Sequence, residues 1–358
     1  MLIRLQCALA VSLALAPVFA QAQPPVPNDP LELVTEAQPI QNAEQRLAAT
    51  SLLQNARSLS NVRAQAYDLK TTFTSSGSSS SDGSWSMEDI SPSSGVYRWT
   101  AQGPSYSAVN LYTNRLLYSN QTSSIVPLRL AQVRTAIFFT YPVTGPHASL
   151  RTAAGNLNGV EVTCVLVSHT SRKSSAGGRR WEESEHCVDP KTGLLMSYSP
   201  APGMYVLYDY SSAIRFHNTV IPGKFTITQA GQTVIQARTE SVTDPASLDP
   251  AIFAPAGLNQ IGVGSLMTPP WHVHSGVGSG RVNPSGSIQV VVLHGMLSPE
   301  GALSETEVLA STDAALNQSA LDHAAKTQQW QAGSDVEPGA TPQSHEVFFT
   351  VQFGVPSS

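Results

Sequence analysis

The sequence predicts a mainly β (α+β) protein: an antiparallel curved sheet forming a half-barrel around helices, followed by a small α/β domain. Short alternating segments separated by Gly, Pro or Asn recur between residues 67 and 241, which is typical of a meandering sheet. Residues 42–59 and 128–139 instead place apolar side chains at helical spacing, so two helices are available to cover one face of that sheet. A strand-strand-helix-strand pattern then occupies residues 287–358.

Composition limits the classes of partner. The chain has 358 residues, of which 41% are hydrophobic and 13% charged, so a folded core is expected rather than disorder. The net charge is −5 and no basic stripe is present, which argues against binding to nucleic acid.

The N-terminus predicts export. Arg4 precedes 15 mostly apolar residues, and Ala20-Gln21-Ala22 has the small residues of a cleavage site. That apolar stretch is shorter than the roughly 18 to 20 residues needed to span a bilayer. We therefore expect residues 1–22 to be a cleaved signal peptide and the mature protein to be periplasmic. The alternative is an uncleaved segment that anchors the chain in the inner membrane, facing the periplasm.

Changes in composition divide the rest of the chain. Residues 23–41 are Pro-rich and are expected to form a flexible N-terminus, and residues 42–257 the half-barrel domain. Residues 258–286 are rich in Gly, Pro and Ser and predict a linker before the second domain at 287–358.

Two cysteines remain after the leader, and they predict a disulfide. Cys164 and Cys187 lie in two predicted strands, on either side of a Ser- and Gly-rich tip. Folding a hairpin about that tip brings them opposite one another, and an oxidising compartment would allow the bond. The alternative is a pair of free buried thiols.

The order of elements in residues 42–255 resembles the lipoprotein-carrier fold of the periplasmic lipoprotein-sorting proteins. The best local likeness is the sequence IPGKF at 221–225, then a strand, then DPAIFAP at 249–255. The resemblance implies a half-barrel that holds a lipid, a lipidated segment or another apolar ligand. Candidate ligand-binding side chains are the aromatic residues of the predicted strands, Trp85, Tyr97, Trp99, Tyr106 and Tyr112. The alternative is that each of them simply packs the core.

Residues 287–354 resemble the C-terminal domain of the TonB family. The likeness rests on IQVVV at 288–292, PEG at 299–301, EVLAS at 307–311, LDHAA at 321–325, Trp330 and the alternating strand VFFTVQF at 347–353. The sequence departs from the family after the tryptophan, where the expected proline is delayed to Pro338.

This second resemblance implies an interaction module that binds an extended segment of an outer-membrane or other envelope protein by strand addition. The expected docking edge is the last strand, with Val347, Phe348, Phe349, Val351 and Phe353. It also implies an alternative function, an anchored energy transducer for outer-membrane transport.

No set of residues nominates an enzyme, a metal site or a cofactor. His272 and His274 alternate on one predicted extended face, but ligation needs three or four ligands and no others lie nearby in sequence. Glu183 and Glu185 share one face of a predicted strand and Glu182 lies on the other, so we expect a solvated face paired to Arg179 and Arg180 rather than a pair of catalytic carboxylates. The prediction is a non-catalytic protein without metal or cofactor.

Overall fold

The computed structural model describes residues 36–77, 81–93, 95–121, 126–138, 140–141, 144, 148–168, 179, 183–245, 248–263, 272–277, 289–298, 300–311, 313–326 and 345–353. The predicted leader therefore lies outside the described residues, as does most of the predicted flexible N-terminus.

The helices are α1 (Ala43–Ser60), α2 (Leu128–Phe138) and α3 (Asn317–Lys326). Asn42 begins α1 because its side chain accepts a hydrogen bond from the Gln45 amide at 2.9 Å, which satisfies an otherwise unpaired donor. None of the described helices is both long and apolar enough to cross a membrane.

The first sixteen strands make up the sheet of the half-barrel and one separate hairpin. In chain order they are β1 (Gln38–Pro39), β2 (Tyr67–Ser75), β3 (Gly83–Ser93), β4 (Val96–Gln102), β5 (Ser107–Thr113), β6 (Leu116–Ser119), β7 (Ser149–Leu157), β8 (Val160–Ser168), β9 (Ser184–Val188), β10 (Leu195–Ala201), β11 (Met204–Asp209), β12 (Ile214–Phe216), β13 (Thr219–Ile221), β14 (Lys224–Gln229), β15 (Gln232–Thr243) and β16 (Asn259–Val263). The separate hairpin pairs β12 with β13.

Fourteen of these strands form one sheet within the described residues, in the order β1-β7-β8-β9-β10-β11-β14-β15-β2-β3-β4-β5-β6-β16. Two antiparallel meanders, β2–β6 and β7–β15, are joined because β15 pairs with β2. Strands that lie far apart in this order share a single core with α1 and α2, which requires the sheet to curve around the helices. The predicted fold class is confirmed.

Helix α2 lies inside this curve and is buried on nearly every side. Leu130 and Val133 pack in the core, and Arg129 and Arg134 are buried beside them. A helix of this kind has no solvated face, so its polar side chains must find partners within the protein.

The C-terminal unit is a second sheet, with β17 (His272–Val277), β18 (Gln289–Leu297), β19 (Leu303–Ser311) and β20 (His345–Phe353) in the order β17-β20-β18-β19. Helix α3 packs Ala320 and Ala324 against Val291 and Leu293 of β18. We refer to β18, β19, α3 and β20 together as the cap.

Two expectations for this region need correction. Strand β20 was expected at a sheet edge but is an inner strand, since it pairs with β18 on one side and in parallel with β17 on the other. Both β16 and β17 lie within the predicted linker. Their backbone groups can form ladders even where the sequence is rich in Gly and Ser, because those hydrogen bonds do not depend on side chains.

The cap packs against the half-barrel. Val292 of β18 and Leu309 of β19 belong to the same core cluster as α2 and the large sheet. Gly203, in the turn between β10 and β11, has a φ of 82°. A Cβ atom there would collide with the Leu309 carbonyl oxygen, so the approach of the two units requires glycine.

Candidate functional site

The half-barrel has two contrasting ends. Strand β11 runs from one to the other, and α2 runs in the same direction, from Arg129, which bonds to Gln229, to Ala136, which accepts a hydrogen bond from Tyr208. We call the end with Tyr141, Tyr208 and Tyr210 the tyrosine end. We call the end with Gly203 and Gln229, where the cap packs, the capped end.

A cavity of about 30 Å³ lies at the tyrosine end, between the ends of α1 and α2 and the sheet. It has room for about two water molecules. Its described lining is apolar or hydroxyl-bearing and carries no charge: Ser60, Val62, Ala136, Ile137, Thr140, Tyr141, Leu195, Tyr208, Tyr210, Ile221, Pro222, Phe225 and Thr239.

Hydrogen bonds of tyrosine hydroxyls hold α1 and α2 in place over this cavity. The hydroxyls of Ser60 on α1 and Tyr141 share a hydrogen bond of 2.8 Å. Tyr208 donates to the carbonyl oxygen of Ala136 on α2 at 2.7 Å. Each such bond contributes about 0.5 to 1.5 kcal/mol net, so the closure is modest in strength.

The cavity is electrically neutral. Burial raises the pKa of Tyr141, of Tyr208 and of Tyr210 well above the usual value, so all three hydroxyls keep their protons. His186 is buried in the same interior, with its ring 5.1 Å from that of Tyr198. Burial lowers the pKa of His186 to about 3, and the imidazole is therefore uncharged at neutral pH.

Tyr141, Tyr208 and Tyr210 are not among the residues predicted from the sequence. A signal was available for two of them, because Tyr208 and Tyr210 are two residues apart and so lie on the same face of an extended chain. Tyr141 could not be placed in advance, since it follows α2 in an irregular segment.

The five aromatic side chains predicted to bind ligand all contact the core cluster inside the sheet. Trp85 and Trp99 are buried, whereas Tyr97, Tyr106 and Tyr112 are half-buried. Trp85 stacks on Phe73 with ring centroids 5.6 Å apart, and Tyr97 on Tyr112 at 5.2 Å. These contacts show that they pack the core, and a role in ligand binding stays a prediction.

The predicted disulfide between Cys164 and Cys187 is confirmed. The two residues face each other directly in the pairing of β8 with β9. A bond that closes a loop of this length stabilises the fold by about 3 kcal/mol in the chain-entropy account.

The acidic face expected to be solvated is buried. Glu183 accepts two hydrogen bonds from Arg151, at 2.7 and 2.6 Å, and both side chains are almost fully buried. Arg179 donates instead to the Glu183 carbonyl oxygen and to Ser199. Glu183 is therefore part of a buried structural ion pair with Arg151.

In the part of the chain that is described, the His, Cys, Asp and Glu side chains do not form a metal site. Glu185 lies with Cys164 and Cys187 in a group whose ligand atoms are within 4.8 Å of one another, but both sulfurs are already used in the disulfide. The side chains of His272 and His274 lie outside the described residues.

The capped end is held by charged groups as well as by apolar contact. Arg129 of α2 donates to Asp82 at 3.1 Å and to Gln229 at 2.7 Å. His294 of β18 donates to Glu307 of β19 at 2.8 Å. Burial by itself would raise the pKa of Glu307, but the hydrogen bond with His294 and the charges of His294 and Arg129 hold it below its usual value.

Two larger hollows, of about 480 and 520 Å³, lie along β2–β5. Polar side chains such as Lys70, Thr72, Gln102 and Glu240 line much of them. Such surroundings suit an apolar ligand less well than the neutral cavity at the tyrosine end.

No family model matches this chain, and no curated relative does. Among solved structures it is similar to a LolA superfamily protein from Nitrosomonas europaea, with a TM-score of 0.37 and 10% identity over 57% of this chain and 97% of that one. It is also similar to a putative outer membrane lipoprotein-sorting protein domain from Vibrio parahaemolyticus, with a TM-score of 0.35 and 8% identity over 59% of this chain and 97% of that one.

Proposed function

We propose that this chain is a non-catalytic binding protein of the bacterial cell envelope that holds the apolar chain of a lipid or lipidated segment between its sheet and its helices. The observation that carries the proposal is the uncharged cavity at the tyrosine end, bounded by Ile137, Phe225 and Leu195. Burying an apolar chain there is favourable at roughly 25 cal/mol per Å².

The cavity as described is smaller than an acyl chain, so binding requires the ends of α1 and α2 to move outward. Their closure depends on individual hydroxyl bonds such as those of Tyr141 and Tyr208. The other end of the half-barrel is filled by Val292 and Leu309 of the cap. An apolar chain is therefore proposed to insert at the tyrosine end.

The test is direct binding of a neutral single-chain lipid, 1-O-hexadecylglycerol, to the full mature chain. The variant Ile137→Trp fills the cavity and is expected to weaken binding more than tenfold, about 1.4 kcal/mol. Leu47→Trp is the matched control, since Leu47 lies on α1 with 67% of its surface exposed. Equal binding by both variants, or no binding by the unsubstituted protein, would contradict the proposal.

The cap is proposed to recruit an envelope partner, as the likeness of residues 287–354 to the TonB C-terminal domain implies. Because β20 is an inner strand, the edges of this sheet that are open to a partner strand are β17 and β19.

Identification of the mature N-terminus tests the location of the protein. Gln21 or Gln23 supports a periplasmic protein, whereas Met1 would favour the anchored energy transducer.

A further inference from the structure

A compact polar cluster lies under α2, on the concave face of β2–β5. Arg134 of α2 donates to Asp89 of β3 at 2.7 Å, and the Tyr67 hydroxyl donates to the same carboxylate at 2.6 Å. The Arg134 guanidinium lies over the Trp99 ring, 4.3 Å from its centroid. The side chains of Arg134 and Asp89 are 4% and 3% exposed, so the cluster is sealed from solvent in the closed protein.

The cluster holds more donors than acceptors. Trp99 Nε1 and Arg134 Nε are buried and have no hydrogen-bond partner among the described residues. Asn110 lies directly opposite Trp99 in the pairing of β4 with β5. Its Nδ2 makes no hydrogen bond of standard geometry within the described part of the chain, although burial raises the pKa of the Tyr106 hydroxyl and Asn110 lies close enough to that group to lower it in part. Buried donors are nearly always paired in folded proteins, so this group of them points to an acceptor supplied from outside the chain.

The charge of the cluster selects the kind of acceptor. Arg134 is already neutralised by Asp89 at contact distance, so the pair carries no net charge. A bound carboxylate would bury an additional unpaired negative charge close to Asp89, which is strongly unfavourable. A neutral carbonyl oxygen offers two lone pairs without that cost.

The cluster is within reach of the cavity at the tyrosine end. Arg134 and Ile137 are three residues apart on α2, which is about 4.5 Å along the helix axis. Ile137 lines the cavity, and Phe138 beside it contacts both Arg134 and Tyr67. A ligand whose chain occupies the cavity can therefore place its first polar group against the cluster.

We propose that Trp99, Asn110 and Arg134 form a subsite for the acyl carbonyl oxygen of a neutral lipid ester or amide. This inference rests on the proposed function, because it names the polar group that accompanies the apolar chain. Trp99 and Asn110 supply N–H donors, and Arg134 supplies its Nε–H while Asp89 holds the guanidinium in place.

The test uses lipids that differ only at the carbonyl. 1-Palmitoylglycerol has an ester carbonyl, and 1-O-hexadecylglycerol has a methylene group in place of that carbonyl. The full mature chain is expected to bind the ester about fivefold more tightly, the ratio that one net hydrogen bond gives. N-palmitoylethanolamine should match the ester, and palmitate should bind more weakly than the ester because of its charge.

The substitution Trp99→Phe keeps a ring under Arg134 and removes only the indole N–H. It is expected to reduce the ester-to-ether ratio to below twofold, because it weakens binding of the ester more than binding of the ether. Trp85→Phe is the matched control, because the Trp85 indole already donates to the Ser81 carbonyl oxygen at 2.9 Å. That variant should retain the fivefold ratio.

The outcomes separate the two proposals. If ester and ether bind equally well to the unsubstituted protein, or if Trp99→Phe weakens both alike, the carbonyl subsite is wrong and the apolar site stands. If palmitate binds as tightly as the ester, the charge argument is wrong and the subsite as proposed is overturned. If neither glycerol lipid binds, the proposed function itself fails.

Discussion

The two ends of the half-barrel are closed in different ways. At the tyrosine end, hydroxyl groups of neutral side chains hydrogen-bond to α1 and α2, and a small cavity remains. At the capped end, Val292 and Leu309 enter the main core, and a charged network that includes Arg129 and Glu307 surrounds them. The small number of hydroxyl hydrogen bonds at the tyrosine end can be replaced by contacts with a ligand. The buried apolar contact between the cap and the half-barrel, with charged groups near it, resists opening. This difference is the reason that the proposed ligand entry lies at the tyrosine end.

The same difference is visible within helix α2, which forms one Arg–Asp ion pair toward each end of the half-barrel. Toward the tyrosine end, Arg134 pairs with the fully buried Asp89. At the capped end, Arg129 pairs with Asp82, whose side chain is 22% exposed, and also contacts Gln132 and Gln229.

Removing the carboxylate near the tyrosine end should cost the most. Asp89→Ala leaves the Arg134 charge buried without its counter-ion and is expected to lower the free energy of unfolding by about 3 to 5 kcal/mol. Asp82→Ala is expected to cost about 2 kcal/mol, since Arg129 keeps two amide partners and Asp82 is partly solvated. Urea unfolding measures both. Equal losses would show that the two pairs are energetically alike.

Leu309→Ala should loosen the joint at the capped end. Truncation of a buried leucine costs about 2 to 5 kcal/mol, and here the lost contacts are between the cap and the half-barrel. We expect calorimetry to show the cap unfolding separately from the half-barrel. The control is Leu293→Ala, because Leu293 packs within the cap's own core. A single transition that shifts equally in both variants would argue against the joint.

Acid should affect the interior near the tyrosine end before it affects the capped end. The pKa of His186 is about 3 in the folded chain and near 6.5 when unfolded, so the unfolded state binds the extra proton between these values. Protonation of His186 therefore does not reduce the free energy of unfolding above pH 6.5. Below pH 6.5 it reduces the free energy of unfolding by up to about 1.4 kcal/mol per pH unit. Glu307 has a lowered pKa, so its contribution is present above its unfolded value and is lost only at more acidic pH, as its folded pKa is passed.

The measurement for this prediction is the free energy of unfolding in urea between pH 7 and 5. His186→Phe should show a shallower slope than the unsubstituted protein by up to one proton, whatever its absolute stability. An unchanged slope in His186→Phe would mean that this imidazole is not kept neutral by burial.

The smallest effect is expected at the closure itself. Tyr141→Phe removes the hydrogen bond to Ser60 and should cost about 1 kcal/mol, while speeding amide hydrogen exchange at the end of α1. Ser58→Ala is the matched control, since among the described residues its hydroxyl donates to the Gln54 carbonyl oxygen of the same helix. If both variants leave exchange unchanged, this bond does not hold the end shut.

Local features of the chain were predictable because they depend on near neighbours. The start of α1 after Asn42, the disulfide across the hairpin and the short antiparallel strands follow from side-chain type and spacing. The burial of Arg129 and Arg134 was not predictable, because their partners Asp82 and Asp89 lie more than 40 residues away in sequence.

The sequence contains a partial indication that the cap packs against another part of the protein. Val290 to Leu293 is apolar at every position, which is typical of a strand covered on both faces. In the structure, Val291 and Leu293 face α3 while Val292 joins the main core. The pattern indicates that a second surface is covered, but not which part of the chain covers it.

Hydrophobic period, capping and turn residues act over a few positions, so the amino-acid pattern was enough to predict the fold class, the meander of strands, the two helices of the half-barrel and the cysteine pair. The pairing of β15 with β2, the pairing of β17 with β20, and the meeting of three tyrosines and the Arg134 cluster beside α2 became visible only in the folded chain. Those arrangements are set by packing between distant segments, whose free energy depends on shape and burial in three dimensions rather than on any local pattern.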